Sequence, residues 1–235
     1  MRIDTRSYDQ IRKIEIQTDI NKYAEGSLII SFGDTRILIT VSLDDKVPQW
    51  LTGRDYGWIT AEYNMLPRAN QKRSSRDSIL KSGRTHEIQR LIGRSIRAVT
   101  DLSALKEKSI IIDCDVLQAD GGTRTCAITG AYIAIQNAFK RLYNMGVIPS
   151  FPLKEPVAAV SAGIVNGELM LDLNYYEDSN AEVDLNLVMT KSQKIVELQS
   201  TSEKRAILRD ELDTLFSLAH KGIMDIIEIQ KGFFI

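Results

Sequence analysis

At 235 residues the chain is long enough to bury a sizeable core, as one large domain or two small intimate ones. Its 43% hydrophobic content and its 30 Lys+Arg against 31 Asp+Glu are those of a soluble globular protein; two histidines argue against a His-rich zinc site, and no apolar run approaches membrane-spanning length. The near-zero net charge hides an asymmetry: residues 1–100 carry 17 Lys+Arg against 12 Asp+Glu and residues 101–235 carry 13 against 19, which predicts a cationic surface on one part and a carboxylate-rich site or partner face on the other.

The opening MRIDTRSYDQ is charged and has no apolar stretch, so no signal peptide is expected and a cytoplasmic location is. GSLIISFGDTRILITVSL, residues 26–43, reads as a β-hairpin turning at Gly33-Asp34. From Arg68 to Arg97 come nine cations (Arg68, Lys72, Arg73, Arg76, Lys81, Arg84, Arg90, Arg94 and Arg97), opposed only by Asp77 and Glu87. The polar, turn-rich stretch 69–83 puts Lys72, Arg73 and Arg76 on an exposed loop, either a plain solvated loop or a grip for a phosphate backbone. Thr85 reads as the cap of the helix that follows, with Arg84 beside it and able to aim at an anion held at the helix end. Within Glu87–Val99, Ile88, Leu91, Ile92, Ser95, Ile96 and Val99 share one face; Arg90, Arg94 and Arg97 lie on another, where ion pairs across a subunit interface are expected.

Next comes DCDVLQADGGTRTCAITG, residues 113–130, the most informative stretch. Ile110, Ile112, Cys114 and Val116 alternate with more polar positions, as in a half-buried strand. Gly121 and Gly122 open a tight turn, and a long helix is expected just after Thr123 and Arg124. A glycine pair lets backbone approach a ligand closely, the helix start offers unpaired N–H groups, and Arg124 adds a guanidinium fork, which together suit a phosphate-sized anion. The same residues would also make an ordinary strand-to-helix turn. Cys114 and Cys126, with no CxxC, read as small core residues in a reducing compartment.

Ile148-Pro149-Ser150-Phe151-Pro152 is the candidate joint of the chain. After it, VAAVSAGIVNGELMLDL, residues 157–173, makes a second hairpin turning at Asn166-Gly167, and a helix is expected over 205–230. The two hairpins echo each other, each followed by extended sequence and then helix, a weak internal duplication of two α+β units in one body. Just after the second hairpin and just before another strand, YYEDSNAEVDLNLV (175–188) crowds Glu177, Asp178, Glu182 and Asp184 into eight positions. Such carboxylates either bind a divalent metal or raise one another's pKa to give a usable acid, unless the stretch is a solvated loop. Asp184 alternates with Val183 and Leu185 and so projects from a strand, a rigid mount. A phosphate cradle, a basic loop and an acidic site together suit phosphoryl transfer on a nucleic acid.

The segments KYAEGSLIISFGDTRILITVS, GWITAEYNMLPR, GRTHEIQRLIGRSIRA, DCDVLQADGGTRTCAITGA and AAVSAGIVNGELMLDLNYYEDSNAEVDLNLVMT closely resemble the bacterial ribonuclease PH family over nearly the whole chain. The resemblance implies an α+β fold of the ribosomal-protein-S5-domain-2-like kind, a single domain over 1–235 with duplicated halves of about 1–148 and 149–235. It implies phosphorolytic 3′→5′ trimming of tRNA precursors and other RNA 3′ ends, with inorganic phosphate as co-substrate, nucleoside diphosphates as products and the reverse nucleotidyl transfer. It further implies Mg²⁺ or Mn²⁺ and a homo-hexamer built as a trimer of dimers.

Carried over by motif, phosphate falls to Arg84, Gly122, Thr123 and Arg124, and RNA to Arg68, Arg73, Arg76 and Arg90. Acid catalysis and metal binding fall to Asp178 and Asp184. Two departures stand out: Asn64 where glycine is common in the family's motif, and STSEK (200–204) in place of a loop richer in glycine. A catalytically silent RNA-binding ring subunit of an exosome-like assembly is the alternative, and a hydrolytic nuclease a weaker one, since hydrolysis needs no free-phosphate pocket.

Overall fold

The computed structural model describes residues 2–76, 82–202 and 204–234. Asp77 and Lys81, two members of the charged stretch, lie outside the described residues.

Strand β1 (Ile14–Thr18) pairs antiparallel with β2 (Gly26–Phe32), which turns through Gly33-Asp34 into β3 (Thr35–Asp44), the first hairpin in the expected register. β4 (Trp58–Met65) leads by the basic loop to helix α1 (Gly83–Ala98), and β5 (Ser109–Gln118) then enters between β3 and β4, parallel to β4. The five-stranded sheet therefore runs β1-β2-β3-β5-β4. Helix α2 (Thr123–Asn144) follows β5 directly across the glycine turn.

The second half repeats the hairpin, β6 (Val157–Val165) and β7 (Glu168–Leu171), with Asn166 and Gly167 both at positive φ as a tight two-residue turn requires. A short helix α3 (Tyr175–Asn180), β8 (Val183–Thr190) and β9 (Ile195–Ser202) give a sheet ordered β7-β6-β8-β9, and α4 (Arg209–Gln230) closes the fold.

The apolar periodicities become packing. Ile88, Leu91, Ile92, Ser95 and Ile96 of α1 and the adjoining Val99 are all buried, as their spacing required. Helix α2 buries sixteen of its 22 residues because β2 and β3 of the first sheet, β6 of the second, and α1 all pack on it. One continuous hydrophobic core, from Leu28 to Ile227, runs through both sheets. The 148–152 segment is anchored: Asp101 N–H donates to Pro152 O (2.8 Å) and Lys154 N–H to Val99 O (2.8 Å).

Two helix arginines find partners within the chain. Arg94 pairs with Glu197 of β9 at 2.7 Å, and Arg97 donates to Ile59 O (2.7 Å) with its guanidinium over the Trp58 ring. The reason is the edge position of β4 and the approach of β9, which put a carbonyl, a ring and a carboxylate within reach. Cys114 and Cys126 are free and buried, as expected of core residues. Among the described residues no helix is long and apolar enough to cross a membrane.

Candidate active site

The turn after β5 holds Gly121 at φ +73° and Gly122 at +62°, the left-handed region that glycine enters without cost. A Cβ on Gly121 would stand 2.6 Å from Leu173 O, so the turn packs backbone to backbone on the entry to α3. Gly122 is the N-cap of α2 with no side chain to cap it, leaving first-turn N–H groups for a ligand. The helix starts at Thr123, so Thr123 and Arg124 sit inside its first turn and not before it.

Tyr63, buried on β4, donates its hydroxyl to Thr123 Oγ1 at 2.9 Å. Burial pushes the Tyr63 hydroxyl up; the Thr123 contact and the positive charges of Arg84 and Arg124 pull the other way. Arg84 and Glu87 lie near the start of α1, and Glu87 stands 3.7 Å from Arg124, so the starts of α1 and α2 lie side by side. Arg84 is exposed and lies in the first turn of α1, whose N-cap is Ser82. Thr85, expected to cap that helix, is instead buried within its first turn, because the helix begins two residues earlier at Gly83. Arg124 is held from two elements: Nη1 donates to Gln199 Oε1 of β9 (2.6 Å) and stands 3.7 Å from Glu87 of α1.

The basic loop roots beside this turn. Leu66 N–H donates to Val116 O and Ala119 N–H to Ala69 O, both at 2.9 Å, tying the loop to the end of β5. Arg68, Lys72 and Arg73 are exposed on it, as expected; Arg76 is exposed too but has helical backbone, not loop, and Arg68 Nη1 donates to Gln71 O (3.0 Å). A cleft of about 270 Å³ lies between loop, turn and acidic helix, lined by Asn70, Gln71, Lys72, Ala119, Asp120 and Tyr175. Arg90 is exposed on α1.

The acidic quartet divides. Glu177 is buried: Arg2 grips it through two bonds of 2.8 and 2.6 Å, and its carboxylate closes a capping box with Asn174. Glu182 pairs with Arg205 at 2.9 Å, which holds its carboxyl below the usual range. The expectation that four crowded carboxylates act on one another is therefore corrected, since cations from the N-terminal arm and from residue 205 neutralise two of them. Asp178 is exposed on α3; Asp184 is half-buried on β8, where its Oδ2 accepts from Asn186 Nδ2 at 2.8 Å. Thr201, within the departing STSEK stretch, is Asp184's cross-strand neighbour, so residues 200–202 of that stretch end β9.

Among the described residues no group of three or more His, Cys, Asp or Glu is placed to hold a metal. Asp178 and Asp184 offer carboxylate oxygens of the kind that the hard cations Mg²⁺ and Mn²⁺ take together with water and substrate phosphate oxygens. A second acidic stripe escaped the sequence reading. Glu62, Asp113 and the offset Asp115 share the outer face of β4 and β5. Burial and then the charge of Glu62 push Asp113 up; burial also pushes Asp115 up, against the pull of Arg76.

A glycine turn feeding a helix start, two convergent arginines, a basic loop and two aspartates on separate mounts define a phosphate-using enzyme of RNA. The chain belongs to the 3′ exoribonuclease family: the model of that family's domain 1 matches residues 10–140 and that of domain 2 matches 155–222. Proteins named Ribonuclease PH from two strains of Caulobacter vibrioides, NA1000 / CB15N and CB 15, are each 51% identical over 234 residues, 99% of this chain and 98% of theirs. The resemblance read from the motifs thus extends over the whole sequence, and the chain is a phosphorolytic 3′→5′ exoribonuclease.

Solved structures share the fold. The Archaeoglobus fulgidus exosome with RNA bound to its active site gives a TM-score of 0.81 at 24% identity, covering 97% of this chain and 91% of that one. Rice (Oryza sativa) Rrp46 gives 0.79 at 17% identity, covering 98% of each.

Proposed function

We propose that the enzyme trims 3′ extensions of tRNA precursors and other RNA ends in the cytoplasm, with the first turn of α2 as its phosphate seat. The observation that carries this reading is the uncapped Gly122–Arg124 helix start set beside the start of α1, which carries Arg84 and brings Glu87 to 3.7 Å from Arg124. Inorganic phosphate is already an anionic nucleophile, so no residue need generate one. What the protein supplies is charge: phosphate and an RNA phosphodiester repel, and Arg84, Arg124 and the helix N–H groups offset that repulsion. Arg68, Arg73, Arg76 and Arg90 hold the RNA backbone, which carries no sequence information and suits an exonuclease.

A phosphate oxygen bonds to the terminal phosphorus, and the bond from that phosphorus to the 3′ oxygen breaks. The nucleoside diphosphate leaves, and Asp184 gives its proton to the departing oxygen. Asp178 would hold Mg²⁺ or Mn²⁺, which would supply positive charge at the developing oxyanion. Asn186, bonded to Asp184, keeps that carboxyl oriented. A homo-hexamer, three dimers in a ring, is the assembly in this reading; sedimentation should give about six times the 26.5 kDa chain mass.

The test is a tRNA with a few added 3′ nucleotides, incubated with divalent metal, with and without phosphate. Nucleoside diphosphates that appear only with phosphate are the expected result. Monophosphates without phosphate would mean hydrolysis, and RNA bound but uncut would mean a silent ring subunit.

A further inference from the structure

Behind the glycine turn, two segments 160 residues apart meet: the arm before β1 and the link after β7. Arg12 and Asp172 form their junction, 4% and 0% exposed. The Arg12 N–H and Nε both donate to Asp172 Oδ2 (2.7 and 3.0 Å), and Nη2 donates to Oδ1 (2.7 Å). The remaining nitrogen, Nη1, donates to Asp120 O at 2.6 Å. On the turn's other side Thr35, fully buried, donates its hydroxyl to Gly121 O (2.6 Å) and accepts from Asp120 N–H (2.9 Å).

Three facts mark this junction as more than packing. A buried ion pair is a poor route to stability, since apolar side chains of similar volume fold as well or better. Asp172 is held at φ +53°, a left-handed conformation that the Arg12 contacts fix in a fully buried position. And the fork's one free arm points at the turn. A planar guanidinium can hold a carboxylate and a carbonyl at set angles, which a lysine ammonium cannot.

We infer that Arg12, seated by Asp172 and seconded by Thr35, is a positioning residue for phosphate: it sets the angle at which the Asp120–Gly122 turn presents the α2 N–H groups and Arg124. The inference rests on the proposed phosphate seat. No substrate touches Arg12; it acts through the carbonyl it holds. The same junction reaches the acid side, because Arg2 and Arg6 both donate to Asp172 O (3.0 and 3.1 Å) while Arg2 clamps Glu177 next to Asp178.

Steady-state phosphorolysis of Arg12→Lys, Thr35→Val and Arg124→Ala, each varied in phosphate and in RNA, tests this. A 1 Å misplacement can cost about 10²-fold, so Arg12→Lys should raise KM for phosphate roughly tenfold or more, with KM for RNA within about twofold. Thr35→Val, isosteric and lacking only the hydroxyl, should move the same parameter in the same direction, and it decides the matter if Arg12→Lys does not fold. If Arg124→Ala raises KM for phosphate while both folded neighbours leave it unchanged, or lower only the melting temperature, the positioning role is overturned and the seat stands. If Arg124→Ala itself leaves KM for phosphate unchanged, the seat is wrong and the inference falls with it.

Discussion

Arg124 is held in advance: with Glu87 and Gln199 as its partners the guanidinium is already aimed, and little ordering entropy is lost when an anion arrives. Arg124→Ala should therefore lower kcat/KM for phosphate by about 10²–10³-fold, the range for one aligned donor at a transition state, with RNA affinity little changed. Arg73 is exposed on the basic loop, so Arg73→Ala should instead weaken RNA binding and shallow its salt dependence by about 0.7 in log–log slope, read from binding titrations at several salt concentrations. Equal effects on both parameters in both variants would contradict this division. For Asp184→Asn, kcat should fall about 10²–10⁴-fold while RNA binding persists, and full turnover in a folded variant would remove the acid assignment. Arg84, Thr123 and Arg124 were legible because the turn chemistry is local to GGTR and GRT. Tyr63, Glu87 and Gln199 were not, since each acts from another element and no spacing rule links residue 63 to 123 or 199 to 124.

Elements with enough residues to show a period were read correctly, and short ones were not. The apolar face of α1 and both hairpins follow from spacing alone, whereas the six residues of α3 are fewer than two turns and carry no periodic signal. A local signal did exist: Asn174 three residues before Glu177 is a capping box, which places Glu177 at the helix start and not in an acidic cluster. Its consequence is measurable. Glu177→Ala strands the buried Arg2 charge and should destabilise the fold by about 3–5 kcal/mol in denaturant unfolding, far more than loss of a solvated carboxylate. Cys114 and Cys126 follow the same logic of place. Burial pushes both thiols up, so neither should react with a thiol reagent until the protein unfolds.

Across the whole molecule one core joins the two sheets, and the Arg12–Asp172 pair joins the first strand's arm to the second hairpin. Acid should therefore take both halves apart together. Burial alone would push the Asp172 carboxyl up, but the Arg12 guanidinium and the bonds it donates win and hold it below the ordinary 3.8. A carboxyl lowered in the folded state contributes stability above its unfolded value, and that contribution is lost as pH falls through the lower folded value. Asp113 and Asp115 work with the opposite sign: raised by burial and, at each, by Glu62, they penalise the fold at neutral pH, and mild acid relieves them. Stability should thus rise slightly as acid first protonates Asp113 and Asp115, above the ordinary 3.8, and fall steeply as pH drops below about 3.8 toward the lowered value of Asp172. Asp172→Asn should flatten the steep limb and Asp113→Asn should raise stability at pH 7. Both tryptophans, Trp50 and Trp58, sit on the first half, so their fluorescence follows that half while circular dichroism follows all helices and strands. Coincident acid transitions by the two probes are expected from a shared core; a fluorescence change that precedes the dichroism change would mean the first sheet opens alone, and the buried junction would then not be what couples the halves.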